Sequence, residues 1–514
     1  MKSIQDGWTS KTRINSSTTL IDNVQVLRIA ITILLTLSLA IRLYSLNAGL
    51  WLDEILTYVN YAGLPFRQIV TTFDSENQHF LYSILAHTSF LIFGESGWAL
   101  RLPAVFFGVG SIWALYLLGS EVANRKEGFL AAALLAFSYH HVWFSQNARG
   151  YTGLLFWTIL SSWLFIRGLR SNQSRTWIFY AITIALGVYT HLSMLFVLAG
   201  QSIIFMLILI LRRKKDWPQR WSGIILGIGL AGILTFILYT PVLSQIINTI
   251  GGTEQSVVTE WKNPIWTLVE LISGLKVSFA GGVLAAGALL LFGIGIISYA
   301  RTNPILLGLL FLPPIIGATV TLAIGHHLWP RFFFFIFGLA TLVVIRGASD
   351  LGIFLVRQVG RFILLPDKSM TWAGMILPIG LILVSALSVP SAYGPKQDYG
   401  AALDYVNHNL KPGDSVATVF LTEFVYQEFY KSDWEAIETL DDLNALRETS
   451  MRTWIIYTFP PVVEAMIPQV MASIHQDFVI EKQFGGTVSN GTVYIVIADG
   501  PTSDLNSTDL DQGG

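Results

Sequence analysis

Residues 49–60 read GLWLDEILTYVN, and this stretch places two adjacent acids, Asp53 and Glu54, directly after an apolar run. The chain around it has 514 residues, of which 53% are hydrophobic and only 13% are charged. An ordinary globular protein carries roughly 25% charged residues. Apolar stretches of about 20 residues, the length that crosses a bilayer, recur from Val26 to Pro390. The composition therefore predicts a polytopic membrane protein.

Charge divides the chain into two parts. Residues 1–390 hold 15 Asp and Glu against 26 Lys and Arg, a net charge of +11, whereas residues 391–514 hold 18 against 6, a net charge of −12. A basic membrane part and an acidic soluble part agree with the positive-inside rule. The sequence thus predicts a cytoplasmic tail (1–25), a transmembrane domain (26–390), a soluble α/β domain (391–500) and a disordered tail (501–514).

Eleven segments are predicted to span the membrane. They are 26–46, 103–119, 128–144, 151–168, 176–190, 192–211, 221–241, 277–299, 304–324, 332–349 and 371–390. The apolar piece 80–94 has only 15 residues and contains His87, so we expect it to be interfacial or re-entrant rather than spanning. With the N-terminus inside, 19 of the 26 basic residues of the membrane part fall in cytoplasmic loops and 7 fall outside. This topology places a long first loop (47–102) and the acidic domain on the extracytoplasmic side.

The acidic domain alternates two kinds of pattern. Strand-like apolar runs occur at 415–420, 453–459, 477–484 and 492–498, and helix-like segments occur near 398–409, 434–447 and 461–475. Such alternation predicts a small α/β domain. The predicted fold class is therefore an all-α polytopic membrane domain of about 11 transmembrane helices, with interfacial helices in the first outer loop and a small C-terminal α/β domain.

Several classes of function are excluded by what the sequence lacks. The chain has no cysteine, which rules out disulfides, thiolate catalysis and cysteine-based zinc sites. It has no P-loop and no Gly-rich dinucleotide motif in a strand-helix unit, so ordinary nucleotide binding is not indicated. We expect no nucleic-acid partner. An enzyme at this membrane surface would instead use an activated lipid.

The acid pair admits two readings. A carboxylate beside aliphatic surface is disfavoured in its charged form unless it is paired, which raises its basicity. That environment suits Asp53 to general-base work, or to binding a divalent cation with a second acid nearby. The alternative is a solvated loop acid that marks the end of a span.

Two arginines near predicted span ends, Arg149 and Arg331, offer planar guanidinium forks that match phosphate. Each could equally be an interface anchor that reaches the lipid headgroups. The appearance of His326 and His327 together with these arginines favours an anionic ligand. For a metal, the best candidates are His79 with Asp74 or Glu76, although no HExxH spacing occurs. A divalent metal is therefore a candidate cofactor, and no cofactor is obligatory.

Five segments of the chain occur in a familiar order. They are GLWLDEILT (49–57), NQHFLYSILAH (77–87), FGESGWALRLPAVFFG (93–108), LGSEVANRKEGFLAAALLAFSYHHVWFSQNARGYTGLLF (118–156) and HHLWPRFFFF (326–335). In this order they resemble the GT-C membrane glycosyltransferases of family 39, a group that includes protein O-mannosyltransferases and the aminoarabinose transferases of lipid A. The similarity covers roughly residues 25–345.

The resemblance implies an inverting transfer of a hexose or pentose from a polyprenyl-phosphate-linked donor in the cell (plasma or inner) membrane. The acceptor would be an extracytoplasmic hydroxyl on a protein, lipid or polysaccharide. Where many relatives read HPPLYY, this chain reads QHFLYS and lacks both prolines. The implied roles are catalytic for Asp53, as general base, and Glu54; donor-phosphate binding for Arg149, Arg331 and His327; and substrate binding for Asn77, His79, Tyr151 and His191.

The alternative to an enzyme is a transporter or flippase of a lipid-linked sugar or glycan. Such a protein would carry ionisable residues near the bilayer midplane and broken helices in two related halves. In this chain the charges cluster at span ends, and no twofold repeat is evident. A receptor or scaffold whose outer domain does the binding is a third reading, and it would leave the polar loops without a purpose.

Overall fold

The computed structural model describes residues 24–171, 173–211, 218–251, 258, 263–274, 281–326, 328–359 and 367–500. Within these residues, nine helices are long and apolar enough to cross a membrane, and a small five-stranded sheet follows them. This architecture confirms the predicted fold class and describes a multi-pass membrane protein. The predicted tails lie outside the described residues, apart from residues 24 and 25, and the domain boundaries stay predictions.

The membrane part is a bundle of helices with short connections. Its helices are α1 (Val24–Leu43), α2 (Leu52–Thr57), α3 (Phe66–Thr71), α4 (Phe80–Phe93), α5 (Gly97–Val122), α6 (Arg125–Ala136), α7 (Tyr139–Ser145), α8 (Tyr151–Ser171), α9 (Ser174–Thr190), α10 (Met194–Leu211), α11 (Pro218–Tyr239), α12 (Leu243–Gly251), α13 (Pro264–Gly274), α14 (Gly281–Thr302), α15 (Pro304–Ala323), α16 (Phe337–Val359) and α17 (Asp367–Ser388). A π-helix, Tyr58–Ala62, continues α2.

Nine of the eleven predicted spans coincide with the nine long apolar helices. The predicted span 176–190 is the 17-residue helix α9. The predicted span 128–144 is broken into α6 and α7 around an extended Ser138, where the Ala136 carbonyl accepts a hydrogen bond from the Arg42 guanidinium at 3.1 Å. The short apolar helix α4 has 14 residues, fewer than a span needs, as expected for 80–94.

The C-terminal part is an α/β domain built on one mixed sheet. Its strands are β1 (Asp414–Val419), β2 (Glu435–Ile437), β3 (Arg452–Tyr457), β4 (Val479–Phe484) and β5 (Val493–Asp499), and its helices are α18 (Tyr399–Asn409), α19 (Leu440–Thr449), α20 (Pro460–Met466) and α21 (Pro468–Asp477). The strand order is β2-β1-β3-β5-β4, with β1 parallel to β2 and β3, and β5 antiparallel to β3 and β4.

Four of these strands match the predicted runs, but β2 was missed. The segment 434–447 was predicted to be a helix, and its beginning instead forms β2 before α19 starts at Leu440. Three residues are too few to show a period of two, so the pattern could not reveal this strand. The prediction for the start of this segment was therefore wrong.

Helices α14 and α16 pack closely because each presents a glycine to the backbone of the other. A Cβ atom added at Gly295 would overlap the carbonyl oxygen of Val343, and one added at Gly347 would overlap that of Leu291. In a membrane no hydrophobic driving force brings helices together, and small residues at the contact allow their backbones to approach and pack closely. These two glycines therefore set the distance between the helices.

We expect Gly295→Ala to destabilise the bundle by about 1–3 kcal/mol, the usual cost of overpacking a tight contact. The matched control is Gly293→Ala on the same helix, where an added Cβ meets nothing within 4 Å. Thermal unfolding of the purified protein in detergent measures both. Equal midpoints for the two variants would show that Gly295 does not set the helix spacing.

Candidate active site

A buried ion pair fixes the first loop of the membrane part. The side chains of Glu54, on α2, and Arg101, on α5, are 0% and 2% exposed. Arg101 donates two hydrogen bonds to the carboxylate, from Nε to Oε1 at 2.7 Å and from Nη2 to Oε2 at 2.6 Å. Its remaining donors reach the carbonyl oxygens of Leu46, Ala48 and Gly49 at 2.7–2.8 Å. The loop before α2 is thus wrapped around one guanidinium group.

The same carboxylate joins the first loop to the loop between α7 and α8. The Ala148 amide donates to Oε1 of Glu54 at 2.7 Å, and the Trp51 amide donates to Oε2 at 3.4 Å. In addition, the Trp51 indole donates to Oδ1 of Asn147 at 3.2 Å. The two loops that carry Asp53 and Arg149 are therefore held as one unit.

Glu54 is ionised in this setting. Burial would raise the pKa of its carboxyl, but Arg101 and then Lys396 outweigh burial and hold the pKa below its ordinary value. Both carboxylate oxygens are already occupied by donors, so Glu54 has no free position for a reacting group. In this geometry the Glu54 carboxylate holds the two loops together, and its catalytic role stays a prediction.

Asp53 lies in different surroundings, although it is the next residue along the helix. Its side chain is 12% exposed, and Oδ2 lies 3.2 Å from Nη1 of Arg331. The pair is not aligned as a hydrogen bond, and Oδ2 has no hydrogen-bond partner within the described protein. The Arg331 guanidinium also lies over the rings of Trp329 and Trp51, at 5.0 and 6.0 Å. Asp53 is thus held near a cation with an oxygen still free to accept a proton.

A second group of side chains lies near this pair, close enough for Arg331 to contribute to lowering the pKa of His79. The rings of His79 and His191 stack with centroids 4.7 Å apart, Tyr151 lies 6.1 Å from His79 and 5.6 Å from His191, and the Arg149 guanidinium lies 5.7 Å from the Tyr151 ring. Gly150 permits this convergence, because a Cβ there would press on the Thr190 carbonyl and the His79 ring. We call Asp53, His79, Arg149, Tyr151, His191 and Arg331 the loop cluster.

The loop cluster contains buried polar atoms that the protein itself does not satisfy. Among the described residues, no partner is found for Nε2 of His79, Nε and Nη1 of Arg149, the hydroxyl of Tyr151 or Nε of Arg331. Native proteins seldom leave such groups unpaired, because each costs free energy when it is buried. Several unpaired donors aimed at one region are expected where a polar ligand binds.

The charge of the loop cluster comes from its arginines. Burial lowers the pKa of His79 well below its usual value, with further contributions from Arg149, His191 and Arg331. Burial and then Arg149 lower the pKa of His191 to about 3. Both imidazoles are therefore neutral at physiological pH. One aspartate against two arginines leaves a net charge of +1, which favours an anionic ligand.

Asp74 and Glu76 contact residues outside the loop cluster. Asp74 accepts a hydrogen bond from the Tyr61 hydroxyl at 2.5 Å, and Glu76, whose side chain is 52% exposed, lies 3.3 Å from the His326 ring. Nδ2 of Asn77 is buried and has no hydrogen-bond partner among the residues that the structure describes. His327 lies outside the described residues.

The predicted metal trio does not converge. Asp74 and Glu76 are exposed, whereas His79 is buried in the loop cluster. In the part of the chain that the structure describes, no group of three or more His, Asp or Glu side chains is placed to hold a metal ion. The residues present therefore do not fit a metal centre, and metal dependence stays a prediction.

Sequence reasoning missed Arg101, Lys396 and Gln397. Arg101 was counted only as one of the outer basic residues, although an arginine inside an apolar helix is a functional candidate in its own right. Lys396 and Gln397 follow the last span and carry no recognisable motif. Their contacts with the first and second loops depend on the tertiary fold, and the sequence offered no signal for them.

Comparisons with known proteins agree with this architecture. A family model described as "Dolichyl-phosphate-mannose-protein mannosyltransferase" matches residues 78–244, about a third of the chain. The Bacillus subtilis (strain 168) protein named "Putative mannosyltransferase YkcB" is 26% identical over 121 residues, which are 23% of this chain and 17% of that protein.

Solved structures match over most of the chain. The apo structure of ArnT from Cupriavidus metallidurans matches with a TM-score of 0.52 and 13% identity, over 91% of this chain and 97% of that one. The oligosaccharyltransferase AglB from Archaeoglobus fulgidus, in complex with an inhibitory peptide and a dolichol-phosphate, matches with a TM-score of 0.53 and 11% identity, over 93% and 74%. The described chain shares the fold of these proteins.

We expect Glu54→Ala to destabilise the protein by about 3–5 kcal/mol, because it leaves the Arg101 charge buried without its partner. Thermal unfolding in detergent measures the loss. The control is Asp499→Asn, which removes one side of an exposed pair with Arg452 and should cost less than about 1 kcal/mol. A loss for Glu54→Ala no larger than that of the control would contradict the structural role given to the pair.

Proposed function

We propose that this chain, which has the GT-C fold and resembles the family 39 transferases, is an inverting glycosyltransferase that uses a polyprenyl-phosphate-linked sugar. The observation that carries the proposal is the loop cluster. It contains the Asp53 carboxylate, whose Oδ2 has no hydrogen-bond partner in the described protein and lies 3.2 Å from the partly exposed Arg331. It also contains buried donor atoms of Arg149 and Arg331 that have no partner among the described residues. A general base next to an anion site is what transfer from a phosphate-linked sugar requires.

The arginines would bind the phosphate of the donor. Arg149 offers Nε and Nη1, and Arg331 offers Nε, all buried and without partners in the described protein. As the bond between the anomeric carbon and the phosphate oxygen breaks, negative charge grows on the leaving lipid phosphate. Preorganised donors stabilise that charge without reorganisation at the moment of reaction. The AglB structure, which contains a dolichol-phosphate, supports a lipid phosphate as the ligand class.

Asp53 would act as the general base. The acceptor hydroxyl attacks the anomeric carbon from the face opposite the phosphate, and its proton passes to the Asp53 carboxylate. One bond forms between the acceptor oxygen and the sugar, and the bond between the sugar and the phosphate breaks, so the configuration inverts. His79, His191 and Tyr151 would contact the sugar or the acceptor by hydrogen bonds.

The side of the membrane is part of the proposal. The positive-inside rule assigns the basic loops to the cytoplasm, which puts the loop cluster and the α/β domain on the extracytoplasmic face. The lipid tail of the donor would then lie among the spanning helices while its phosphate reaches the loop cluster. The acceptor, a hydroxyl on a protein, lipid or polysaccharide, would arrive from the extracytoplasmic side.

We expect Asp53→Asn to lower the rate of sugar transfer by about 10²–10⁴, the usual contribution of a general base. The assay measures transfer from a panel of polyprenyl-phosphate sugars to protein, lipid and polysaccharide acceptors by the purified protein, with and without a chelator. Asp499→Asn, at the exposed end of β5, is the control and should keep full activity.

Three other outcomes bear on this proposal. Equal transfer by wild type and Asp53→Asn would remove Asp53 from the reaction. A loss of wild-type transfer with chelator would establish a metal requirement. No transfer by wild type with any donor, together with movement of the lipid-linked sugar across vesicle membranes, would replace the transferase with a flippase.

A further inference from the structure

A short segment, residues 395–398, connects the last membrane helix to α18 and runs between the two parts of the molecule. We call it the docking strap. Its backbone is held by the α/β domain, because the Thr487 amide donates to the Pro395 carbonyl at 2.9 Å and the Val488 amide donates to the Lys396 carbonyl at 3.2 Å. At Gly486 a Cβ atom would overlap the Lys396 carbonyl. The backbone of the strap therefore packs against, and is hydrogen-bonded to, the segment that precedes β5.

The side chain of Gln397 bridges the α/β domain and the helix that carries Asp53. Oε1 of Gln397 accepts a hydrogen bond from the Leu52 amide at 3.2 Å, and its Nε2 donates to Oγ1 of Thr458, just after β3, at 3.1 Å. The Leu52 amide is in the first turn of α2, where backbone amides have no acceptor within the helix. Gln397 is 1% exposed, so water does not readily replace it.

The side chain of Lys396 reaches the other loop of the loop cluster. Its Nζ donates to the Gln146 carbonyl at 2.6 Å and lies 5.3 Å from the Trp143 ring. The Trp143 indole in turn donates to Oγ1 of Thr487 at 2.8 Å. Gln146 is three residues before Arg149. The strap thus contacts the loop that carries the proposed base and the loop that carries the proposed phosphate ligand.

Apolar packing couples the same parts. One buried cluster contains Leu52 and Ile55 of α2 together with Tyr426 and Trp454 of the α/β domain. The Tyr58 ring, which follows α2, meets the Phe429 ring edge to face at 5.9 Å. Movement of the α/β domain away from the bundle would expose these side chains and break the Gln397 bridge together.

We propose that Lys396 and Gln397 are positioning residues, through which docking of the α/β domain holds Asp53 and Arg149 in their working geometry. This inference rests on the proposed function for its catalytic consequence. The structural part of the proposal does not depend on the reaction. Gln397 connects the first turn of α2 to the α/β domain and so holds that turn in place. The domain is therefore a part of the active site rather than a separate binding module.

The test compares Gln397→Met, which keeps the length of the side chain but removes its hydrogen bonds, with Thr458→Val. The second variant removes the contact of Gln397 on the α/β side, together with the bond from Thr458 to the Thr492 carbonyl within the α/β domain. Each should lower kcat by about tenfold, equivalent to about 1.4 kcal/mol and within the range for one lost hydrogen bond, with a smaller change in KM. The double variant should lose no more than either single variant, because both act through one bridge.

Gln427→Met is the matched control, since Gln427 donates to the Trp434 carbonyl within the α/β domain. It should leave kcat unchanged. Losses that multiply in the Gln397→Met and Thr458→Val double variant would show that the two residues act separately, and would overturn the proposed bridge.

A second readout does not depend on activity. Hydrogen–deuterium exchange of the full-length protein should become at least severalfold faster in peptides covering residues 49–60 in Gln397→Met and in Thr458→Val, but not in Gln427→Met. Unchanged exchange in those peptides would overturn the proposal even if activity fell. If the wild-type protein transferred no sugar but the two variants still showed faster exchange, the role of the strap would be supported while the proposed function failed.

Discussion

The buried pair of Glu54 and Arg101 is the constraint on which the candidate site depends. A charge enclosed by apolar helices must be compensated, and here one guanidinium satisfies both carboxylate oxygens and three backbone carbonyls. Within the loop before α2, the Leu46 and Ala48 amides donate to the Leu43 and Ser45 carbonyls at 3.3 Å, and the network around Arg101 adds the contacts that hold this loop to α5. Through the Ala148 amide the same carboxylate also fixes the loop that leads to Arg149.

Two adjacent acids therefore have different roles. Neighbouring side chains on a helix point about 100° apart, so when Glu54 turns toward Arg101, Asp53 must turn elsewhere. It lies 3.2 Å from Arg331, which comes much later in the chain. In the described structure both oxygens of Glu54 accept hydrogen bonds, whereas Oδ2 of Asp53 has no hydrogen-bond partner.

The sequence indicated much of the fold, because hydropathy and charge are local properties. Long apolar runs located the nine long helices, and alternating runs located four of the five strands. The break in 128–144 escaped notice because it involves Arg42, which is remote in sequence. The role of Glu54 escaped notice for the same reason, since WLDE alone does not show that Arg101 takes one acid and leaves the other. Gln397 could not be found at all, because its bond to Leu52 joins residues 345 positions apart.

The central claim is that the loop cluster binds a lipid phosphate through its arginines and not through Asp53. Its most direct test is the binding of a polyprenyl phosphate to the purified protein in nanodiscs, measured for wild type, Arg149→Gln and Asp53→Asn, with the uncharged polyprenol as control. The account predicts that Arg149→Gln weakens binding about tenfold or more, as the loss of a charge-assisted hydrogen bond would, while Asp53→Asn binds at least as well as wild type. Equal affinity of wild type and Arg149→Gln, or equal binding of the uncharged polyprenol, would contradict it.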